Sequence, residues 1–114
     1  MSAVSARLKD SEIKEIVTQG KSKNTHYLAL YWQKVSDQQL RRAIVISKQV
    51  DKRAVVRNRI RRVIGEQIRI YSKDLANYNL VIKVRNSAST LDSRQLRKET
   101  INILSFGGLL KISS

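Results

Sequence analysis

Cysteine and proline are both absent from this chain of 114 residues, and histidine occurs once, at His26. Without cysteine there are no disulfides, and the usual cysteine–histidine zinc sites are excluded. Cys–His catalysis is excluded too, and a Ser–His–Asp arrangement would have to be built on His26. A lone histidine beside the aromatic Tyr27 reads as a surface or strand-edge residue. Glycine is scarce, at four residues, so the usual punctuation of turns is thin and boundaries have to be read from periodicity. No apolar run approaches the roughly 18 to 20 residues needed to span a bilayer. The segment Met1–Asp10 lacks the apolar core of a signal peptide, and neither end carries a lipidation motif. No internal repeat is present. The expectation is one domain over residues 1–114, in the cytoplasm.

Acidic residues are also few. Nine Asp and Glu face 23 Lys and Arg, a formal net charge of +14. So large an excess on so small a body resists compaction by self-repulsion, and a polyanionic partner relieves it. Nucleic acid is the first candidate and an anionic membrane surface the second. The hydrophobic fraction of 41% suffices for one modest core.

The apolar pattern divides the chain into seven elements. Residues 9–19 place Ile13, Ile16 and Val17 on one helical stripe, with Gly20 where a helix C-terminal glycine belongs. Residues 27–33 and 42–47 read as strands, expected to form an antiparallel pair across a polar turn at 36–39. A short extra strand fits 21–25. Residues 54–72 read as the main helix, since Val56, Ile60, Val63, Ile64, Ile68 and Tyr71 recur at three- and four-residue steps. Leu80 to Arg85 is a further strand. Asp92 or Ser93 can cap a last helix with Leu96, Thr100, Ile103 and Leu104 inward, ended by Gly107-Gly108. The order α-β-β-β-α-β-α implies an α/β (α+β) two-layer sandwich, with the helices on one face of a small sheet.

The main helix carries the charge. Between Arg41 and Arg69 there are ten Lys or Arg and only Asp51 and Glu66 against them. An ordinary solvent-facing helix mixes signs to gain i,i+4 pairs. On a wheel, Asn58, Arg62 and Arg69 share one outer stripe. Arg57 and Arg61 form another at the edge of the apolar face, and Arg59 points away from both. The arginines crowd the helix's first half, where the dipole disfavours each cation by roughly 0.3 to 1 kcal/mol. A phosphate partner reverses that sign. Arginine outnumbers lysine in this segment, which favours bidentate phosphate contact. Asn58 can donate and accept, and so could reach a base edge, a ribose hydroxyl or a backbone group.

The run Ser47-Lys48-Gln49-Val50-Asp51-Lys52-Arg53-Ala54-Val55-Val56-Arg57-Asn58-Arg59-Ile60-Arg61-Arg62 resembles the signature of the bacterial ribonuclease P protein component. That signature is a Ser-Lys strand end, a basic loop, then an Arg-Asn-Arg helix. Arg7-Leu8-Lys9, Gly20, Leu28 to Tyr31, Glu66 and Leu80-Val81-Ile82 also fit its layout, so the likeness covers about residues 7–104. It implies a fold like domain 2 of ribosomal protein S5, with a left-handed βαβ crossover around the Arg-Asn-Arg helix. It implies a subunit of a ribonucleoprotein that cuts precursor tRNA to release the 5′ leader. The catalytic RNA subunit and its bound Mg²⁺ would carry the chemistry, the protein holding no metal and no catalytic residue and being monomeric alone. By the likeness, Ser47, Lys48, Lys52, Arg53, Arg57, Asn58, Arg59, Arg61 and Arg62 bind RNA, joined by Arg69 from the wheel. Ile13, Val17 and Tyr31 fall where the family lines a cleft for the precursor's leader.

There are departures. The family commonly has phenylalanine at the positions of Ile13 and Val17, so base stacking there is missing, and Tyr31 is left to supply it. Gly65 stands where the family often has arginine, which leaves a gap in the basic surface. Two rival readings are a structural RNA-binding protein of ribosomal or RNA-chaperone type, and a protein-only nuclease. The second would need Mg²⁺ on the acidic group Asp10, Glu12 and Glu15, which reads instead as helix N-terminal charge.

Overall fold

The computed structural model describes residues 6–36 and 40–110. The turn expected over 36–39 lies outside the described residues apart from Ser36, as do the first five residues of the N-terminal segment. The chain runs β1 (Ala6–Arg7), α1 (Asp10–Gln19), β2 (Lys21–Asn24), β3 (Leu28–Lys34), β4 (Arg41–Val45), α2 (Ala54–Ile70), α3 (Ser72–Leu75), β5 (Tyr78–Val84), a 3₁₀ turn (Asn86–Thr90) and α4 (Ser93–Phe106). The α+β class and the order of the main elements are those expected. The two-residue β1, the single turn α3 and the 3₁₀ turn had no sequence signal. Among the described residues, no helix is long and apolar enough to cross a membrane.

The strands form one sheet in the order β1-β4-β5-β3-β2. The antiparallel pair expected between β3 and β4 is not made, because β5 lies between them. It runs antiparallel to β3 and parallel to β4. Leu80, Val81 and Ile82 of β5 are all fully buried, so this strand is apolar on both faces and belongs in the sheet's centre. Parallel neighbours need a crossover, and α2 supplies it between β4 and β5.

Register sorts the sheet's two faces. Leu30, Ile82 and Ile44 are cross-strand partners, and so are Tyr31, Val81 and Ala43. The first set joins the main core with Ile60, Ile64 and Ile68 of α2 and Leu96, Ile103 and Leu104 of α4. The second set joins a smaller cluster with Leu8 and with Ile13, Ile16 and Val17 of α1. The helices are therefore not all on one face: α1 covers the face opposite α2 and α4. A single apolar stripe buries equally well against either face, so the sequence pattern does not choose between them.

Caps bound the helices. Asp92 caps α4: its Oδ1 accepts from the Gln95 N–H at 2.8 Å, while the Gln95 side chain accepts from the Asp92 N–H at 3.0 Å. At the other end, the Leu109 N–H reaches the Leu104 carbonyl and the Gly108 N–H reaches that of Ser105, each at 3.0 Å. This paired closure puts Gly108 at φ +79°, the left-handed region that glycine tolerates. Gly20 ends α1 for a different reason. Its backbone is extended, at φ −76° and ψ 172°. A Cβ there would lie 2.5 Å from the Ile16 carbonyl oxygen and 2.6 Å from that of Trp32. Glycine is required at this position because helix and strand backbones nearly touch.

Two substitutions separate these roles in chemical denaturation. Gly20→Ala is expected to destabilise by about 1–3 kcal/mol, since backbone must move to admit the methyl group. Gly65→Ala, in the interior of α2, would meet nothing closer than the Arg42 guanidinium at 3.5 Å. It should stabilise by up to about 1 kcal/mol through helix propensity.

Candidate nucleic-acid interface

The basic segment is built on an anchored loop. The Val50 side chain is buried, and its N–H donates to the Ser47 carbonyl at 3.1 Å. This ties down the chain while Ser47, Lys48, Lys52 and Arg53 stay exposed around it. Arg53 grips Asp51 with both ends of its fork, Nε to Oδ1 at 3.1 Å and Nη2 to Oδ2 at 3.0 Å. The Arg53 N–H adds a bond to Oδ1 at 2.8 Å. Those side-chain bonds, then the backbone bond, hold the Asp51 carboxyl down to about 2. Arg57 reaches back from α2, and its Nη1 donates to the carbonyls of Asp51 at 2.9 Å and Lys52 at 3.0 Å.

Helix α2 buries Ile60, Val63, Ile64, Gln67 and Ile68 and presents Asn58, Arg61, Arg62 and Arg69 to solvent. It starts without a side-chain cap and has no acid in its first turn. The arginines of the Arg-Asn-Arg segment are not equivalent. Arg57 and Arg59 are half-buried, and each is engaged with protein. Arg59 Nη1 donates to the Ser93 hydroxyl at 3.0 Å and Nη2 to the Leu91 carbonyl at 3.4 Å, joining α2 to the start of α4. Arg61 is exposed and steadied by the Asn58 side-chain oxygen at 3.3 Å. Asn58 and Arg62 share a shallow hollow of about 410 Å³ with Val55, Val56 and Arg59. The gap expected at Gly65 is occupied: the half-buried Arg42 guanidinium from β4 lies over it, with Nη2 3.5 Å and Cζ 3.7 Å from where a Cβ would be. Burial lowers the pKa of Arg42.

Beside the helix opens a cleft of about 490 Å³, between α1 and the end of β4. Ile13 and Val17 line one side, and Ile44, Val45 and Ile46 the other. Arg7, Lys14, Arg61 and Lys83 supply its cations. Ile13 and Val17 thus face this cleft from α1. Tyr31 does not line the cleft. It packs with Ile13 and Val17 over the small cluster, and the Lys83 ammonium lies 5.6 Å from its ring centroid. Sequence reading missed Arg7, Lys14 and Lys83 as cleft residues. The one signal for Lys83 was its period-two spacing from Val81, which puts both on the α1 face.

The other sequence candidates fall elsewhere. His26 is exposed and meets Tyr27 edge-on at 4.8 Å. Glu12 accepts the Lys9 N–H at 2.9 Å and lies 3.8 Å from Arg41, and Asp10 lies 4.0 Å from Arg7. Among the described residues, no group of three or more His, Cys, Asp or Glu is placed to hold a metal ion.

The sequence model of the ribonuclease P family matches residues 3–106. The ribonuclease P protein component of Clostridium botulinum (strain Loch Maree / Type A3) is 34% identical over 103 residues, which are 89% of this chain and 92% of that one. The chain belongs to the ribonuclease P protein family. Two solved members show the same fold. The Staphylococcus aureus RNase P protein superposes with a TM-score of 0.82 at 21% identity, over 90% of this chain and 95% of that one. The protein from Thermotoga maritima does so at 0.76 and 22%, over 95% and 98%. Membership makes this chain a subunit of the ribonuclease P ribonucleoprotein, acting in tRNA processing.

The split between half-buried and exposed arginines is measurable. Arg59→Ala should cost about 1 kcal/mol of folding stability through its lost bonds to α4. Arg62→Ala should leave stability unchanged and lower the slope of log affinity for RNA against log salt by about one. The Asp51 carboxyl carbon should titrate near pH 2 by NMR instead of near the ordinary value of about 3.9. A depressed carboxyl stabilises the fold above its ordinary value, so this loop's contribution should be constant from about pH 4 upward and fade below it.

Proposed function

We propose that this protein docks on the catalytic RNA through the exposed stripe of α2 and the loop before it, and holds the 5′ leader of precursor tRNA in the cleft beside α1. The observation that carries this reading is the placement of Arg61. It stands on the arginine helix and also lines the cleft, so one continuous cationic surface joins the two. Asn58, Arg62 and Arg69 extend that surface along α2, and Ser47, Lys48, Lys52 and Arg53 extend it along the loop. Arg57 and Arg59 serve it from beneath, by fixing the loop and by bracing α2 against α4. A surface of this kind meets phosphates over a wide footprint, and the RNA would relieve the repulsion among its cations.

In this reading the protein performs no bond chemistry. The RNA subunit would hold the Mg²⁺ needed for the reaction, whose chemistry would be activation of water for phosphodiester hydrolysis. The described acids at the start of α1 support that assignment, because Asp10 and Glu12 sit beside Arg7 and Arg41, a setting that disfavours a divalent cation. The chain works in the cytoplasm, as a monomer until it assembles with RNA.

Reconstitution tests the proposal. The purified protein alone should leave precursor tRNA uncut, and together with a bacterial ribonuclease P RNA it should allow cleavage at Mg²⁺ concentrations too low for the RNA alone. No stimulation under those conditions would refute it.

A further inference from the structure

The cleft's lining is unusual for a surface that holds single-stranded RNA. Sequence-tolerant strand binding commonly combines a cationic groove with aromatic rings on which bases stack, at roughly 1 to 3 kcal/mol per base. Here the cationic groove is present without the rings. The walls are aliphatic, Ile13 and Val17 against Ile44, Val45 and Ile46, and among the described residues no aromatic side chain lines them. Tyr31, on the same face of the sheet, packs on the small cluster, with the Lys83 ammonium over its ring 5.6 Å from the centroid.

Groups that read base edges are equally scarce. Such reading needs amides, carboxylates or hydroxyls aimed at the base. Among the described residues Thr18 is the one hydroxyl in the lining, and it donates to the Lys14 carbonyl at 2.6 Å. Asp10 is the one acid among the described lining residues, and it is almost fully exposed beside Arg7. Four cations remain, Arg7, Lys14, Arg61 and Lys83, arriving from β1, α1, α2 and β5 and so distributed around the opening. They match the charge of a phosphate chain, while the aliphatic walls accept any base without choosing among them.

Resting on the reading that this cleft holds the leader, we propose that it grips that strand through its phosphates alone, without base preference. Affinity would then be set by the leader's charge and length, and Lys14 and Lys83 would be its dedicated phosphate contacts. Arg61 is shared with the docking helix.

The test uses the reconstituted holoenzyme and precursor tRNAs whose leaders differ only in base: oligo-U, oligo-A, and an abasic strand of equal length, with mature tRNA as the leaderless control. All three precursors should bind more tightly than mature tRNA. They should differ among themselves by less than the roughly fivefold that losing even one weak base stack costs. Replacing leader phosphates by uncharged methylphosphonates should abolish the advantage over mature tRNA. Lys14→Ala and Lys83→Ala, checked for native circular dichroism, should each lower the salt slope of leader-dependent binding by about one. A preference above about fivefold between base compositions, or loss of the advantage with the abasic leader, would overturn the proposal while leaving the cleft as the leader's site. Equal binding of precursor and mature tRNA would overturn the leader reading itself, and this inference with it.

Discussion

Burial of Ile60, Val63, Ile64 and Ile68 holds together a helix that its own charges oppose. The four residues recur at three- and four-residue steps, face the sheet, and are each worth about 1.5–3 kcal/mol when fully buried. Against them stand arginines gathered toward the positive end of the helix dipole, each disfavoured by a few tenths to one kcal/mol. The apolar seam wins, and that margin is what allows one face of α2 to carry cations of one sign. The crossover between β4 and β5 is the same helix, so the parallel pairing at the centre of the sheet depends on this seam as well.

The arginines that look alike in sequence divide by what they touch. Arg57 closes on the loop carbonyls and Arg59 on the start of α4, while Asn58, Arg61, Arg62 and Arg69 face outward. Arg53 is exposed yet locked in a fork with Asp51, so the loop's one acid shapes the loop as well as offsetting charge. Arg42 does for Gly65 what a side chain on the helix would have done, by covering the missing surface from the strand below. A net charge of +14 therefore overstates the free cationic surface, and the geometry shows which part is committed to the fold.

The helices were legible because their apolar residues keep a helical period: α1, α2 and α4 fall close to the expected bounds, and Asp92 caps α4 as one of two expected residues. The strands were legible as strands, but their partners were not. The three-residue run Leu80-Val81-Ile82 marks β5 as central, yet no local signal says which neighbours it takes, since pairing is a long-range choice between strands distant in sequence. The face that α1 covers was hidden for a related reason, as was the role of Gly20, which depends on the Trp32 carbonyl arriving from another strand. The basic helix could be read because its residues are contiguous. The cleft could be read only in part: Ile13, Lys14 and Val17 share one helix, whereas Arg7, Arg61 and Lys83 come from three other elements that meet it only in three dimensions. At Gly65 and Ile13, two departures from the family pattern, the outcome is set by neighbours distant in sequence, the Arg42 guanidinium over the one and the Ile44–Ile46 wall facing the other.

If RNA covers the α2 side of the molecule, as proposed, two exposed side chains report it directly. Val55 is 73% exposed beside Asn58 and Arg62, and Phe106 is 60% exposed at the far end of α4, next to Lys23 on the opposite edge of the sheet. Hydroxyl-radical footprinting of the protein with and without the catalytic RNA compares them in one experiment. Val55 should become protected on assembly while Phe106 stays reactive. Protection of Phe106 with Val55 still reactive would place the RNA on the other side and contradict it.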